Sequence, residues 1–132
     1  MKLISLTPNI MVEDVVKTAA YYEDLLDFEI VDSVPDDEGG LTWALISSGD
    51  VLLMLQSRTG LEGELNELEN KETGGTLTFF IKVDDTSEIY DNLKEKVNIL
   101  SDLKETFYGA IEFTFRDING YIVTISQTKQ QS

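Results

Sequence analysis

Three side chains in this sequence have acid or base chemistry at positions where a sheet could hold them: Glu112, Tyr108 and Lys82. A glutamate facing a cavity anchors a cationic ligand or exchanges a proton with it, and a phenol or an amine can act as the partner acid or base. No two of the three form a recognised catalytic pair by their spacing. The ordinary alternative for Glu112 is a solvent-facing strand residue, and for Tyr108, as for Tyr21, a core or surface role. Trp43 is the only tryptophan. On a curved sheet it would make a stacking plate for a flat or cationic ligand. The alternative is a core or dimer-interface residue, and Trp43 and Ala44 compete for the inward direction.

What is missing narrows the chemistry further. The chain has no cysteine and no histidine. Disulfides, thiolate metal sites and cysteine nucleophiles are therefore impossible. The commonest general base, the commonest transition-metal ligand and every Ser-His arrangement are missing too. The net charge of −15 repels nucleic-acid phosphates and anionic membranes and favours cationic small molecules or basic partners. Solubility alone is the plainer reading of that acidity. No apolar run approaches the roughly 20 residues that span a bilayer. The opening residues carry one lysine, are broken by Pro8 and Asn9, and offer no signal-peptide pattern, so a cytoplasmic protein is expected. At 132 residues the chain suits one compact domain.

The elements that must position these residues come in two copies. Val12-Glu13-Asp14 and Val83-Asp84-Asp85 each lead into a helical pattern, and Gly49 and Gly120 each lead a strand; both pairs are 71 residues apart (83 − 12 and 120 − 49). The expected first copy spans residues 1–57. It has a strand over Ile4–Met11, a helix capped by Asp14 with its stripe on Val15, Ala19, Tyr22 and Leu26, and a left-handed stop at Asp27. Strands over Phe28–Val34, Leu41–Ser47 and Val51–Gln56 follow, with a turn-rich loop at 35–40. Residues 58–74 read as an acidic linker with a short exposed helix. The second copy, 75–128, repeats the order: a strand over Thr76–Val83, a helix capped at Asp85 with Ile89, Leu93 and Val97 on its stripe, then strands over Leu100–Thr106, Ala110–Arg116 and Tyr121–Thr128. Asn119-Gly120 favours a tight turn, and the polar tail Lys129–Ser132 is expected to fray.

This order resembles the glyoxalase/bleomycin-resistance/extradiol-dioxygenase (vicinal oxygen chelate) superfamily over nearly the whole chain. Residues 8–28, with Tyr21-Tyr22-Glu23-Asp24-Leu25-Leu26-Asp27-Phe28, are similar to its opening strand and helix, although Asp27 stands where the family usually has glycine. Phe113-Thr114-Phe115-Arg116-Asp117-Ile118-Asn119-Gly120-Tyr121 is similar to its closing motif, with Ile118 in place of the usual proline. The resemblance implies an α+β fold of two tandem β-α-β-β-β units. Each is a curled mixed sheet with a helix on the convex side, and together they form a cavity. Metal-dependent members place ligands on the first and last strand of each copy, and the matching positions here are Thr7, Leu53, Thr78 and Thr124. Threonine and leucine cannot build a zinc, nickel, iron or manganese site, so no metal and no cofactor are expected. Family members are commonly dimers, which implies a homodimer.

Strand alternation then lines the expected cavity with Thr7, Asn9, Trp43, Leu53, Thr78, Phe80, Glu112 and Thr124. An apolar pocket with scattered hydroxyls suits an organic ligand. The leading expectation is a metal-independent binder that sequesters a cationic or aromatic compound. An enzyme using Glu112, Tyr108 or Lys82 and an acidic interaction module are the two alternatives.

Overall fold

The structure is a computed structural model, and it describes residues 1–128; the tail Lys129–Ser132 lies outside the described residues. It contains two compact units, Met1–Thr73 and a second beginning at Gly74. Each holds one four-stranded sheet with its strands in the order first, fourth, third, second. This is the tandem α+β arrangement that the repeat predicts.

In the first unit, β1 (Asn9–Val12) leads into α1 (Val15–Leu26), followed by β2 (Glu29–Pro35), β3 (Leu41–Ser48) and β4 (Val51–Ser57). Asp14 caps α1, its side chain accepting from the Lys17 backbone at 3.0 Å. The helix stops at Asp27, whose φ of 57° is left-handed, a conformation that Asp tolerates better than most non-glycine residues. β1 runs parallel to β4, and the β4–β3 and β3–β2 pairs are antiparallel. Register pairs Ala44 with Leu55 and Ile46 with Leu53. All four are buried on the face that α1 covers with Val15, Ala19 and Tyr22. Covering a side chain such as Ile46 this way stabilises the unit by roughly 1.5–3 kcal/mol.

The second unit repeats the plan with β5 (Thr78–Lys82), α3 (Thr86–Leu93), β6 (Asn98–Glu105), β7 (Ala110–Arg116) and β8 (Ile122–Thr128). Asp85 caps α3 by accepting from the Glu88 backbone at 3.1 Å. Phe113 pairs with Ile125 and Phe115 with Val123, all buried. Tyr90 of α3 meets Phe113 edge-on, with ring centroids 5.2 Å apart, so this is the helix-covered face.

Four local expectations change. The first strand begins at Asn9, not Ile4: Pro8 contributes its carbonyl to Met54 (2.9 Å) but has no N–H to donate, and Met1–Leu6 are exposed. The strand expected at Thr76–Val83 shortens to Thr78–Lys82. α3 ends at Leu93, and Val97 sits in the turn that follows, its N–H bonded to the Leu93 carbonyl at 3.1 Å. The acidic segment after residue 57 is not a detached linker. It forms α2 (Arg58–Glu64) and a short turn of tight helix (Asn66–Leu68), buries Leu61, and belongs to the first unit. Arg58 ties it down, reaching Glu13 at 2.6 Å, Glu62 at 3.3 Å and the Lys71 carbonyl at 2.6 Å.

The two ends of α1 give a direct check. Asp14→Ala should lower the unfolding free energy by about 1 kcal/mol, since it orphans a helix N–H. Asp27→Gly should be neutral or slightly stabilising, since glycine adopts the left-handed turn freely. Denaturant midpoints measure both, and a larger loss from Asp27→Gly than from Asp14→Ala contradicts this description.

Candidate functional site

Because α3 takes one face of the second sheet, the intervening residues of β7 and β8 must stand on the other. Register sets them in rows. Lys82, Ser126 and Glu112 lie side by side on β5, β8 and β7; Phe80, Thr124 and Thr114 form the next row; Thr78, Ile122 and Arg116 form the third. This uncovered face carries a hydroxyl pair, Thr114 to Thr124 at 2.9 Å, and a half-exposed aromatic ring, Phe80.

Glu112 is the unusual member. It is only 7 % exposed, yet it is a carboxylate on the face without a helix. Ser126 donates its hydroxyl to Oε2 at 2.9 Å, and the Tyr108 hydroxyl donates to the same oxygen. Among the described residues the other oxygen, Oε1, accepts no hydrogen bond, and no lysine or arginine lies within ion-pair distance. Lys104 is its register partner on β6, but it makes no ion pair with it.

Tyr108 reaches Glu112 because of the hairpin between β6 and β7. The Thr106 N–H bonds the Ala110 carbonyl at 2.8 Å, the Ala110 N–H bonds the Thr106 hydroxyl at 3.0 Å, and Gly109 supplies a φ of +83°. The closed turn folds Tyr108 back over β7 and leaves Phe107 fully exposed beside it, the rings 5.1 Å apart. The bond to Glu112 pushes the Tyr108 phenol above its ordinary pKa, with loss of water and the nearby negative charge adding to the effect. The sequence alone offers Tyr108 as a candidate acid or base or as a core or surface residue, and does not pair it with Glu112. The available signal was its spacing of four residues from Glu112 across a Gly-containing turn.

Of the residues expected to line one cavity, Thr7, Asn9, Trp43 and Leu53 belong to the first unit and Thr78, Phe80, Glu112 and Thr124 to the second. Thr78, Phe80, Glu112 and Thr124 share the uncovered face of the second sheet. On the first sheet, the uncovered rows are Met11, Gln56 and Trp43, then Asn9, Met54 and Leu45. Asn9 donates its amide to Gln56 at 2.9 Å. Trp43 therefore faces away from α1, and Ala44 takes the helix side. Thr7 precedes β1 and belongs to no strand. Leu53 is a correction: it is buried on the helix-covered face, and Met54 holds the uncovered position assigned to it. The cause lies in the two hairpins. Ser48 pairs with Val51 across two residues, while Arg116 pairs with Ile122 across five, so aligning Gly49 with Gly120 slides the closing strand by one. Met54 and Thr124, which occupy matching positions, are 70 residues apart (124 − 54). In these matched frames Trp43 stands in the first sheet where Glu112 stands in the second.

The model of the Glyoxalase/Bleomycin resistance protein/Dioxygenase superfamily matches residues 4–125. The chain belongs to this superfamily. Solved structures of similar fold include TioX from Micromonospora sp. ML1, with a TM-score of 0.76 at 14% identity, covering 93% of this chain and 97% of that one. A superfamily enzyme from Burkholderia phytofirmans PsJN gives 0.76 at 17%, covering 92% and 96%. A bleomycin-binding protein complexed with bleomycin gives 0.63 at 23%, covering 96% and 100%. A comparison with the curated proteins finds no match in sequence.

The donor set does not fit the metal of the superfamily's metal-dependent members. The matching positions offer hydroxyls from Thr7, Thr78 and Thr124 and the thioether of Met54, and the Thr124 hydroxyl is already paired with Thr114. Among the described residues no three of His, Cys, Asp and Glu converge. Zinc, nickel, iron and manganese sites are built from imidazole, thiolate or carboxylate ligands, which these positions lack.

The hydrogen bond at Glu112 is open to titration. Tyr108 should ionise above an ordinary tyrosine. Its folded pKa is raised, so the stability it contributes is fully present below the pKa of a free phenol and fades as the pH climbs through the elevated value. The difference in tyrosinate absorbance between the wild type and Tyr108→Phe isolates this residue, and Glu112→Gln should bring it back toward the ordinary range. A Tyr108 that ionises at the usual phenol pKa contradicts the geometry.

Proposed function

We propose that this chain is a metal-independent binding protein for a small organic molecule bearing a positive charge, held on the uncovered face of the second sheet. One observation carries the reading: Glu112, almost wholly buried, has an oxygen that accepts no hydrogen bond, and among the described residues neither its register partner Lys104 nor Lys82 in its row forms an ion pair with it. A buried carboxylate is costly unless its oxygens are bonded, and a ligand cation supplies what the fold omits. Phe80 on the same face offers a ring for the ligand's apolar part. The bleomycin-binding relative, which shares the fold, is complexed with an organic compound, and this supports the same class of ligand here.

Binding is favoured over catalysis at this site because Tyr108, the obvious proton-transfer partner of Glu112, has its pKa raised, away from the neutral range where an acid–base group works best. Trp43, on the face of the first sheet away from α1, offers a stacking surface for a flat compound. The reading includes a homodimer, supported by the common state of the family.

Calorimetry with a panel of aromatic cations, bleomycin among them, and their neutral isosteres tests this proposal. Cations should bind more tightly than the isosteres, and Glu112→Gln should weaken them roughly ten-fold or more, the scale of a lost charge-assisted hydrogen bond. Equal binding of cation and neutral isostere, or full affinity in Glu112→Gln, rejects it.

A further inference from the structure

The way Glu112 is bonded says more about its ligand than its charge does. Both donors supplied by the protein, Tyr108 and Ser126, converge on Oε2. An ionised carboxylate oxygen has about two lone-pair sites, so Oε2 is filled and Oε1 is left with its acceptor capacity unused. Oε1 is not among the buried atoms without a partner, so it is open to an incoming group. Coulomb attraction alone would be satisfied by any cation nearby. In a site only 7 % exposed, a bulky ligand that seals Oε1 from water leaves this acceptor unpaired unless the ligand itself brings a hydrogen-bond donor.

We infer that Glu112 selects a cation carrying N–H groups, a protonated amine, amidinium or guanidinium, over a quaternary ammonium, with the N–H donated to Oε1. This rests on the binding reading above and narrows its ligand class. A primary ammonium approaches a carboxylate oxygen to about 2.7–2.9 Å. Three methyl groups hold a quaternary nitrogen farther off and leave Oε1 dry and unpaired. Phe80 sets the length of the rest. It lies two strands away from Glu112 and one row along, roughly 10–12 Å between the two backbones at ordinary strand spacings. The ligand class is therefore an N–H cation joined to an apolar or aromatic end by a spacer of about that reach.

The test is a matched pair, phenylhexylammonium and phenylhexyltrimethylammonium, titrated into the wild-type full chain by calorimetry, with chemical shifts of the protein followed in parallel. The primary ammonium should bind roughly ten-fold or more tightly, and Glu112→Gln should shrink that preference to near unity while leaving the shifts of the fold in place. Equal or tighter binding of the trimethyl compound overturns the inference and leaves the binding proposal standing. A preference that survives in a folded Glu112→Gln also overturns it, since the selection then lies elsewhere. Failure of both compounds, together with the wider cation panel, to bind the wild type overturns the inference and the binding proposal together.

Discussion

Glu112 sits on a central strand, flanked by β8 and β6, with α3 closing off the opposite face. Strand alternation leaves its side chain nowhere else to go. A carboxylate that loses nearly all of its water must recover hydrogen bonds from the protein, and here it recovers them on one oxygen only. Much of the second unit serves that arrangement. The β7–β8 register brings Ser126 alongside, and the hairpin at 106–110 carries the Tyr108 hydroxyl to Glu112. The buried Phe113 and Phe115 hold β7 against the helix so that Glu112 cannot rotate into the core.

The two units show how little a fold determines about chemistry. Both have the same strand order, the same parallel pair and the same aspartate-capped helix. At one matched position the first sheet has Trp43 and the second has Glu112; in the neighbouring strands Met11 and Gln56 answer to Lys82 and Ser126. One row is apolar and amide-lined, the other ionic. At the positions matched to the ligands of the superfamily's metal-dependent members this chain carries hydroxyls and a thioether, so the shared scaffold does not by itself supply metal donors.

Much of the scaffold was legible in the sequence because it depends on local rules. The stripe Val15, Ala19, Tyr22, the caps at Asp14 and Asp85, the left-handed Asp27 and the bounds of β7 are all short-range effects of periodicity and hydrogen bonding. Errors arose where a partner elsewhere in the chain decides. Ile4–Leu6 look like strand residues, but the ladder to β4 begins only at Pro8. Leu53 and Met54 are both apolar, so only the different lengths of two hairpin turns reveal which faces outward. The face of Trp43 likewise needed its pairing with Gln56, and the role of Tyr108 needed the turn that carries it to Glu112.

The most direct measurement of the central claim is a crystal structure of the chain grown with an aromatic primary ammonium compound. The account predicts the ligand nitrogen within hydrogen-bonding distance of Oε1 of Glu112, with Tyr108 and Ser126 still on Oε2. A ligand bound away from the uncovered face of the second sheet, or Oε1 already occupied by the protein's own Lys104, would contradict it.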